Sequence, residues 1–301
     1  MENVPAAEAA LVSVADRPYF VPRRGRRLGQ MAGSVASHLI LLVLVLFALA
    51  PLIEALSTSF KTKREINTGN TLIPQNPTTS QFEYVLGQTD FGNWLRNSLQ
   101  IAIATTLFAL VIGSLGGYAM SRWRFRGRTL YGNTLLMVQM FPGVMLGIPL
   151  FLVLDNYGLI DTMWALLVTY LTFALAFSVW MLKGYFDGIP REIEEAALID
   201  GANRLQVLWQ IVLRLSVPGI VTVSVFTFLL AWNEFFFAYL FLVSPQKMTL
   251  TLGLFTFIRQ YTTDWGYIMA AGILTCLPAL VFFFLLQRAL TRGLIAGAMK
   301  G

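Results

Sequence analysis

The 301-residue sequence predicts an all-α polytopic membrane protein with six transmembrane helices, on three observations. Hydrophobic residues supply 56% of the chain and charged residues only 13%, about half the charged share of soluble domains. Six runs are free of Asp, Glu, Lys and Arg (His38 taken as neutral): 28–53, 97–121, 129–154, 162–182, 215–233 and 265–287. A span needs about 20 mostly apolar residues. Lys and Arg are also unevenly placed, with sixteen of the 22 on the side that holds both termini. The positive-inside bias makes that side cytoplasmic. The net charge of +6 is mostly this bias, so a nucleic-acid partner has no support in it.

Residues 1–30 are Ala-, Pro- and Arg-rich without periodicity and read as a disordered, basic cytoplasmic tail; residues 31–301 form the six-span domain. The first apolar run is too long for a cleavable signal and is expected to stay as an anchor. His38, near its cytoplasmic start, suits an interfacial hydrogen bond. An external loop of about residues 57–94 follows. In the second run Thr105, Ala109, Gly113 and Gly117 form a small-residue stripe, which lets helices approach closely within the chain or between subunits. The turn Arg122-Trp123-Arg124-Phe125-Arg126 meets the anionic inner leaflet and asks for no more specific role.

The third run carries Gln139, Pro142 and Pro149, and proline inside a span frees backbone carbonyls. A bent helix beside a cavity and a packed kink are both open there. The fifth run is expected to continue past Glu234 to about Val243. A carboxylate in mid-membrane usually faces a water-filled route or a partner, so Asn233 and Glu234 are candidate pathway residues. A structural hydrogen bond is the alternative. The apolar stretch 248–258 is too short to span and suits an interfacial or re-entrant piece, with Tyr261, Trp265 and Tyr267 fitting an aromatic belt. Cys276, the one cysteine, excludes an internal disulfide and is expected to pack inside the last span.

The segment of about 184–214 is the most polar long stretch after residue 130. Ile189-Pro190 marks a helix start, and Glu192, Glu194 and Glu195 crowd its first turns, where the helix dipole favours negative charge. Gly201 then interrupts the helix. Beyond it Leu205, Leu208, Val212 and Leu215 recur on one side, with Asn203, Gln206, Gln210 and Arg214 on another. A helix–bend–helix between two spans, with one polar face free, is built to meet a water-soluble partner.

Glu195-Ala196-Ala197, then Gly201, then Ile211-x-Leu213 resembles the EAA loop of bacterial ABC importer permeases. The family has proline after that leucine, where this chain has Arg214. Met140-Phe141-Pro142 with Ile148-Pro149-Leu150, Ala231-Trp232-Asn233-Glu234, and the ending Arg292-Gly293-Leu294-Ile295-Ala296-Gly297-Ala298-Met299-Lys300-Gly301 are similar to the maltose-type carbohydrate permeases. The resemblance runs from about Ser34 to the C-terminus and implies a type I ABC importer transmembrane domain in the bacterial inner membrane.

It further implies two ATPase subunits, a second and commonly non-identical permease, and an extracytoplasmic sugar-binding protein. Substrate would be a sugar or related polyol. Glu195, Ala196, Ala197, Gly201, Ile211 and Leu213 would couple ATPase motion to the spans. The C-terminal tail would reach the ATPase pair as a narrow flexible strand. ATP and magnesium would sit on the partner, so the chain itself is expected to bind no cofactor and to be no enzyme. The residues agree: no Gly-x4-Gly-Lys-Ser/Thr, Gly-x-Ser-x-Gly or His-Glu-x-x-His pattern occurs. A secondary transporter would more often show repeat-related broken helices, and an intramembrane enzyme would need a catalytic constellation; neither is visible.

Overall fold

The computed structural model describes residues 24–69, 71–258 and 263–298, with side chains described for 33–69, 71–258 and 263–287. The chain divides into two units, Met1–Glu54 and Ala55–Gly301. Among the described residues the secondary structure is helical, apart from one isolated bridge between Ile258 and Thr263.

The first unit is formed by helix α1 (Arg24–Ser59) as far as Glu54. Its mean hydropathy reaches 2.8 over Gly33–Ser59, and its side chains from Gly33 to Glu54 are exposed. A helix apolar on all sides suits lipid rather than water. The helix starts at Arg24, so residues 24–30 of the expected unstructured tail are helical. Pro22 is the last proline before that point, and beyond it nothing blocks helix formation. The rest of the tail lies outside the described residues. The His38 ring Nδ1–H donates to the Ser34 carbonyl at 2.7 Å, a local helix bond.

In the second unit, α2 (Lys63–Thr68) and α3 (Ser80–Gln88) lead into the long α4 (Phe91–Arg122). Helices α5 (Arg128–Met140) and α6 (Gly147–Asn156) are joined at an angle of 99°, and α7 (Met163–Asp187) follows. Two helices of the polar segment come next, α8 (Arg191–Ile199) and α9 (Arg204–Leu215). The chain ends through α10 (Val217–Trp232), α11 (Phe236–Phe241), α12 (Leu250–Phe255) and α13 (Trp265–Ala298). Among the described residues four helices are long and apolar enough to cross a membrane, or up to six if each bent pair counts as one span.

Helices α4, α7 and α10 form the centre, with α13 against α10. The small-residue stripe explains the closeness of α4 and α7. Thr105, Ala109, Gly113 and Gly117 are all buried, and a Cβ on Gly113 would lie 2.7 Å from the Ser178 Cβ. The stripe is thus an intrachain seam. One apolar cluster, with Trp94, Leu166, Tyr170, Phe228 and Phe241, fills the end away from the basic turn. A second, with Tyr118, Leu182, Phe186, Val207, Leu208 and Val212, lies beneath α8 and α9.

The break in the third span sits at Pro142 and not at Pro149. Phe141 is extended (φ −76°, ψ 126°), as the residue before a proline must be, and Pro142 is extended too. Pro149 falls in the first turn of α6, where its missing N–H costs nothing. The fifth span differs from the expected continuous run to Val243. It stops at Trp232 and resumes at Phe236, because the Glu234 carboxylate takes the Phe237 and Ala238 N–H groups that would otherwise continue the helix (2.8 and 3.1 Å).

Two further expectations change. The tail beyond Arg292 is helical to Ala298, an extension of α13 and not a strand; residues 299–301 lie outside the described residues. Cys276 is exposed on α13 and so does not pack inside the chain. The 248–258 stretch folds onto α4, with Leu250 N–H donating to Ser98 Oγ at 2.7 Å. Tyr267 stacks on Tyr84 with centroids 4.1 Å apart and Trp265 is exposed, whereas Tyr261 lies outside the described residues.

Candidate functional site

The helix–bend–helix forms as its residues dictate. Pro190 sits just before α8 (φ −56°, ψ 134°), and Glu192 and Glu194 occupy the first turn. Gly201 ends the motif in the left-handed region, at φ 93°. Ala202 N–H reaches the Ala197 carbonyl at 3.0 Å and Gly201 N–H the Leu198 carbonyl at 3.2 Å, the paired bonds of a glycine-terminated helix. Asn203 then caps α9. Its side chain accepts from Gln206 N–H at 2.9 Å, and the Gln206 side chain accepts from Asn203 N–H at 2.8 Å.

Within α9, Leu208–Val212 forms a π turn. The inward face accordingly runs Val207, Leu208, Val212, Leu213 and Ser216, and Leu215 turns outward. A regular 3.6-residue period would have kept Leu215 on the inner side. Leu205 is exposed as well. At Ser216 the chain bends by 83° into α10.

The six coupling candidates divide between two faces. Glu195, Ala196 and Gly201 are exposed; Leu213 is buried, and Ala197 and Ile211 are partly so. Ala197 and Leu213 belong to the cluster beneath the loop. The exposed face also carries Ile199, 86% exposed, with Leu205 and Trp209.

What fastens the loop is a group that sequence reasoning missed. Glu194, and not Glu195, is the buried acid, 2% exposed. Its Oε1 accepts from Arg122 Nε at 2.6 Å and pairs with Arg122 Nη2 at 2.5 Å, while its Oε2 accepts from the Tyr118 hydroxyl at 2.8 Å. Arg122 Nη2 also donates to the Ile189 carbonyl at 3.2 Å. Beside this lies a second link, in which Ser121 Oγ donates to Asp187 at 2.6 Å and Lys183 pairs with Asp187 at 2.5 Å. Arg204 lies over the Trp123 ring, 5.9 Å from its centroid. The basic turn therefore holds the loop in place, beyond any part it has at a lipid surface. The available signal was register: Glu194 sits three and four residues before Ala197 and Leu198, on the face of α8 that points inward.

Asn233 is exposed, and its side-chain N–H donates to the Leu229 carbonyl at 2.9 Å. Glu234 is half-buried and fully engaged, since Tyr170 also donates to its Oε2 at 2.6 Å. Its backbone carbonyl accepts from Thr251 at 2.6 Å. A groove of about 600 Å³ on α4, among Leu95, Leu99, Ile103 and Leu107, includes neither residue. Nor does a polar hollow of about 520 Å³ among Tyr84, Asp90, Trp94 and Thr256.

Comparison with known proteins places this arrangement. The profile for binding-protein-dependent transport system inner membrane components matches residues 109–296, a stretch that holds the whole loop, its Arg122 and Tyr118 anchors and all but the last two residues of α13. The chain belongs to that family. The permease is 39% identical to the inner membrane ABC transporter permease protein YcjP of Escherichia coli (strain K12), over 87% of this chain and 94% of that one. It is 33% identical to the trehalose transport system permease protein SugB of Mycobacterium tuberculosis (strain CDC 1551 / Oshkosh), over 85% and 93%. Its fold matches a chain of a bacterial ABC transporter involved in the import of the acidic polysaccharide alginate, with TM-score 0.75 and 25% identity over 90% and 99%. This permease is thus a multi-pass inner membrane component with the transmembrane fold of a type I ABC importer.

Proposed function

We propose that this permease is one transmembrane subunit of an ATP-driven, binding-protein-dependent importer for a sugar or related polyol. In this reading the basic end faces the cytoplasm and the exposed side of α8 and α9 docks on a separate ATPase. A second permease completes the pathway, and an extracytoplasmic binding protein delivers the substrate. ATP and magnesium belong to the ATPase, and this chain couples its motion to the spans. The sugar class rests on relatives such as the trehalose permease.

The observation that carries the docking reading is the surface around Gly201. A Cβ there would meet nothing within 4 Å, while Ile199, Leu205 and Trp209 stand exposed close by in sequence. Apolar side chains on a rigidly fastened polar loop mark a contact surface. Glu195 and Ala196 share the exposed side and would meet the ATPase, whereas Ala197, Ile211 and Leu213 brace the loop from within. Gly201→Asp tests this. Within the chain it costs about 1–3 kcal/mol of backbone strain, with no clash. Gly201→Asn controls for the strain, because asparagine tolerates the left-handed region. Both co-purification of the ATPase and ATP-driven uptake in reconstituted vesicles should fall for Gly201→Asp, and further than for Gly201→Asn. Full retention of both by Gly201→Asp would remove the docking role.

A further inference from the structure

The loop α8–α9 is covalently continuous with α7 and α10 only, yet its one buried charge is bonded to neither. Glu194 is held by Arg122 and Tyr118, both on the last turns of α4, which is separated from α8 by residues 123–190. The pair is buried on both sides, with side-chain exposures of 7% for Arg122 and 3% for Glu194. Three donors meet two carboxylate oxygens in fixed directions, and Arg122 reaches on to the Ile189 carbonyl at the loop's entrance.

We propose that Arg122, Tyr118 and Glu194 are positioning residues that make α4 move with the loop, so that a push received on the loop's exposed face is delivered to α4 as well as to α7 and α10. This rests on the docking reading above. Two physical points favour a linking role over a stabilising one. A buried ion pair is weak evidence for stability, because desolvation of two charges offsets their attraction; its best-attested service is to fix one arrangement against alternatives. Charge-assisted and bidentate hydrogen bonds are also directional, which apolar contacts are not. The apolar cluster beneath the loop, with Val207, Leu208 and Val212, draws the elements together without fixing the direction in which α8 and α9 meet α4. The Glu194 clamp removes that freedom. Closer to α7, the Ser121–Asp187–Lys183 link ties the ends of α4 and α7 together, so the three elements share one fastening.

The test uses the full transporter complex. Removing one partner alone leaves a buried charge unpaired and endangers folding, so the decisive variant is the double Arg122→Met, Glu194→Met, which keeps bulk and removes both charges. Tyr118→Phe, which deletes one bond and keeps the ring, is the conservative arm. Spin labels at Arg124→Cys and Glu192→Cys, both exposed positions, are placed in a Cys276→Ser background. The label distance in the clamped protein should stay single and narrow with and without ATP. In the double Met variant it should broaden or shift on ATP binding. Uptake per ATP hydrolysed by assembled complex should fall roughly 2- to 30-fold, with Tyr118→Phe lying between. A label distance that shifts on ATP in the clamped protein overturns the proposal, as does a double Met variant with unchanged distances and unchanged uptake per ATP. The docking reading fails differently, through a Gly201→Asp protein that keeps its ATPase and its uptake whatever the clamp variants do.

Discussion

At the scale of single residues, the permease is sensitive where α4 meets α7. Gly113 and Gly117 allow contact so close that Gly113→Leu would drive a side chain into Ser178 and Leu182. Overpacking of this kind costs about 1–3 kcal/mol, and the expected result is a lower unfolding temperature for purified protein in detergent. An unchanged transition would mean that the seam opens without penalty. Spacing alone revealed this stripe, since four small residues at intervals of four leave little else for a helix face to do. Glu194 shows the opposite case. Four acids lie from 192 to 200, and apart from its register with Ala197 and Leu198 it is the partner on α4 that separates the buried one from the rest. Arg122 was hidden by its company, five residues of a basic turn with an evident role at the lipid surface.

At the scale of elements, local chemistry was readable and its interruptions were less so. The start of α8, the bend at Gly201 and the break in the third span all follow from Pro, Gly and capping residues. The interruption at Asn233–Glu234 did not, because nothing in an apolar run shows that a glutamate carboxylate will turn onto the N–H groups of Phe237 and Ala238. Glu234→Leu removes the cap of α11 and strands the Tyr170 hydroxyl, whereas Glu234→Gln keeps one acceptor oxygen for the cap and an amide N–H that the Tyr170 hydroxyl can accept. Uptake should therefore suffer more from Leu than from Gln. If both transport alike, neither the cap nor a pathway role can be assigned to this carboxylate.

A second element-scale prediction concerns Asp161, a non-glycine residue at φ 58°. Lys247, with Ser244 and the Val243 N–H, holds its carboxyl well below the usual range. A depressed value of this sort gives stability that is complete above the ordinary carboxylate range, near 3.9, and lost only as pH falls toward the folded value. Between pH 5 and 8 the fastening of the 242–248 segment should therefore not vary. Asp161→Asn should speed amide hydrogen exchange at Val243 and Ser244 at neutral pH. Exchange unchanged in that variant would mean that other contacts hold the segment, such as the Asn97 side-chain amide that donates to the Gln246 and Met248 carbonyls.

At the scale of the whole molecule, hydropathy located the spans, since it depends on sums over many residues; the charge bias supplies the orientation expected of them. Lengths were underestimated. Helix α13 runs for 34 residues, about 51 Å at 1.5 Å per residue, against a hydrocarbon core of about 30 Å. Its far end must leave the bilayer as helix. Deleting residues 293–301 should lower uptake or the ATPase response to substrate while membrane insertion stays intact; full coupled transport by the truncated protein would rule out contact with the ATPase pair.

The clamp on Glu194 also bears on how the permease is made. Arg122 leaves the ribosome 72 residues before its partner. Throughout that interval a guanidinium at the end of α4 has no carboxylate to meet it, and water must serve instead. An unpaired charge at that point anchors the end of α4 on the aqueous side while the next three helices are threaded. Only when α8 emerges can the charge be covered. One residue would then act twice in the protein's life: early, as a retention signal for topology, and afterwards, buried, as part of the finished joint. In pulse-labelled chains stopped between residues 122 and 194, Arg122→Leu should lower the labelling of Arg124→Cys by a water-soluble maleimide; labelling that does not change would remove the early role.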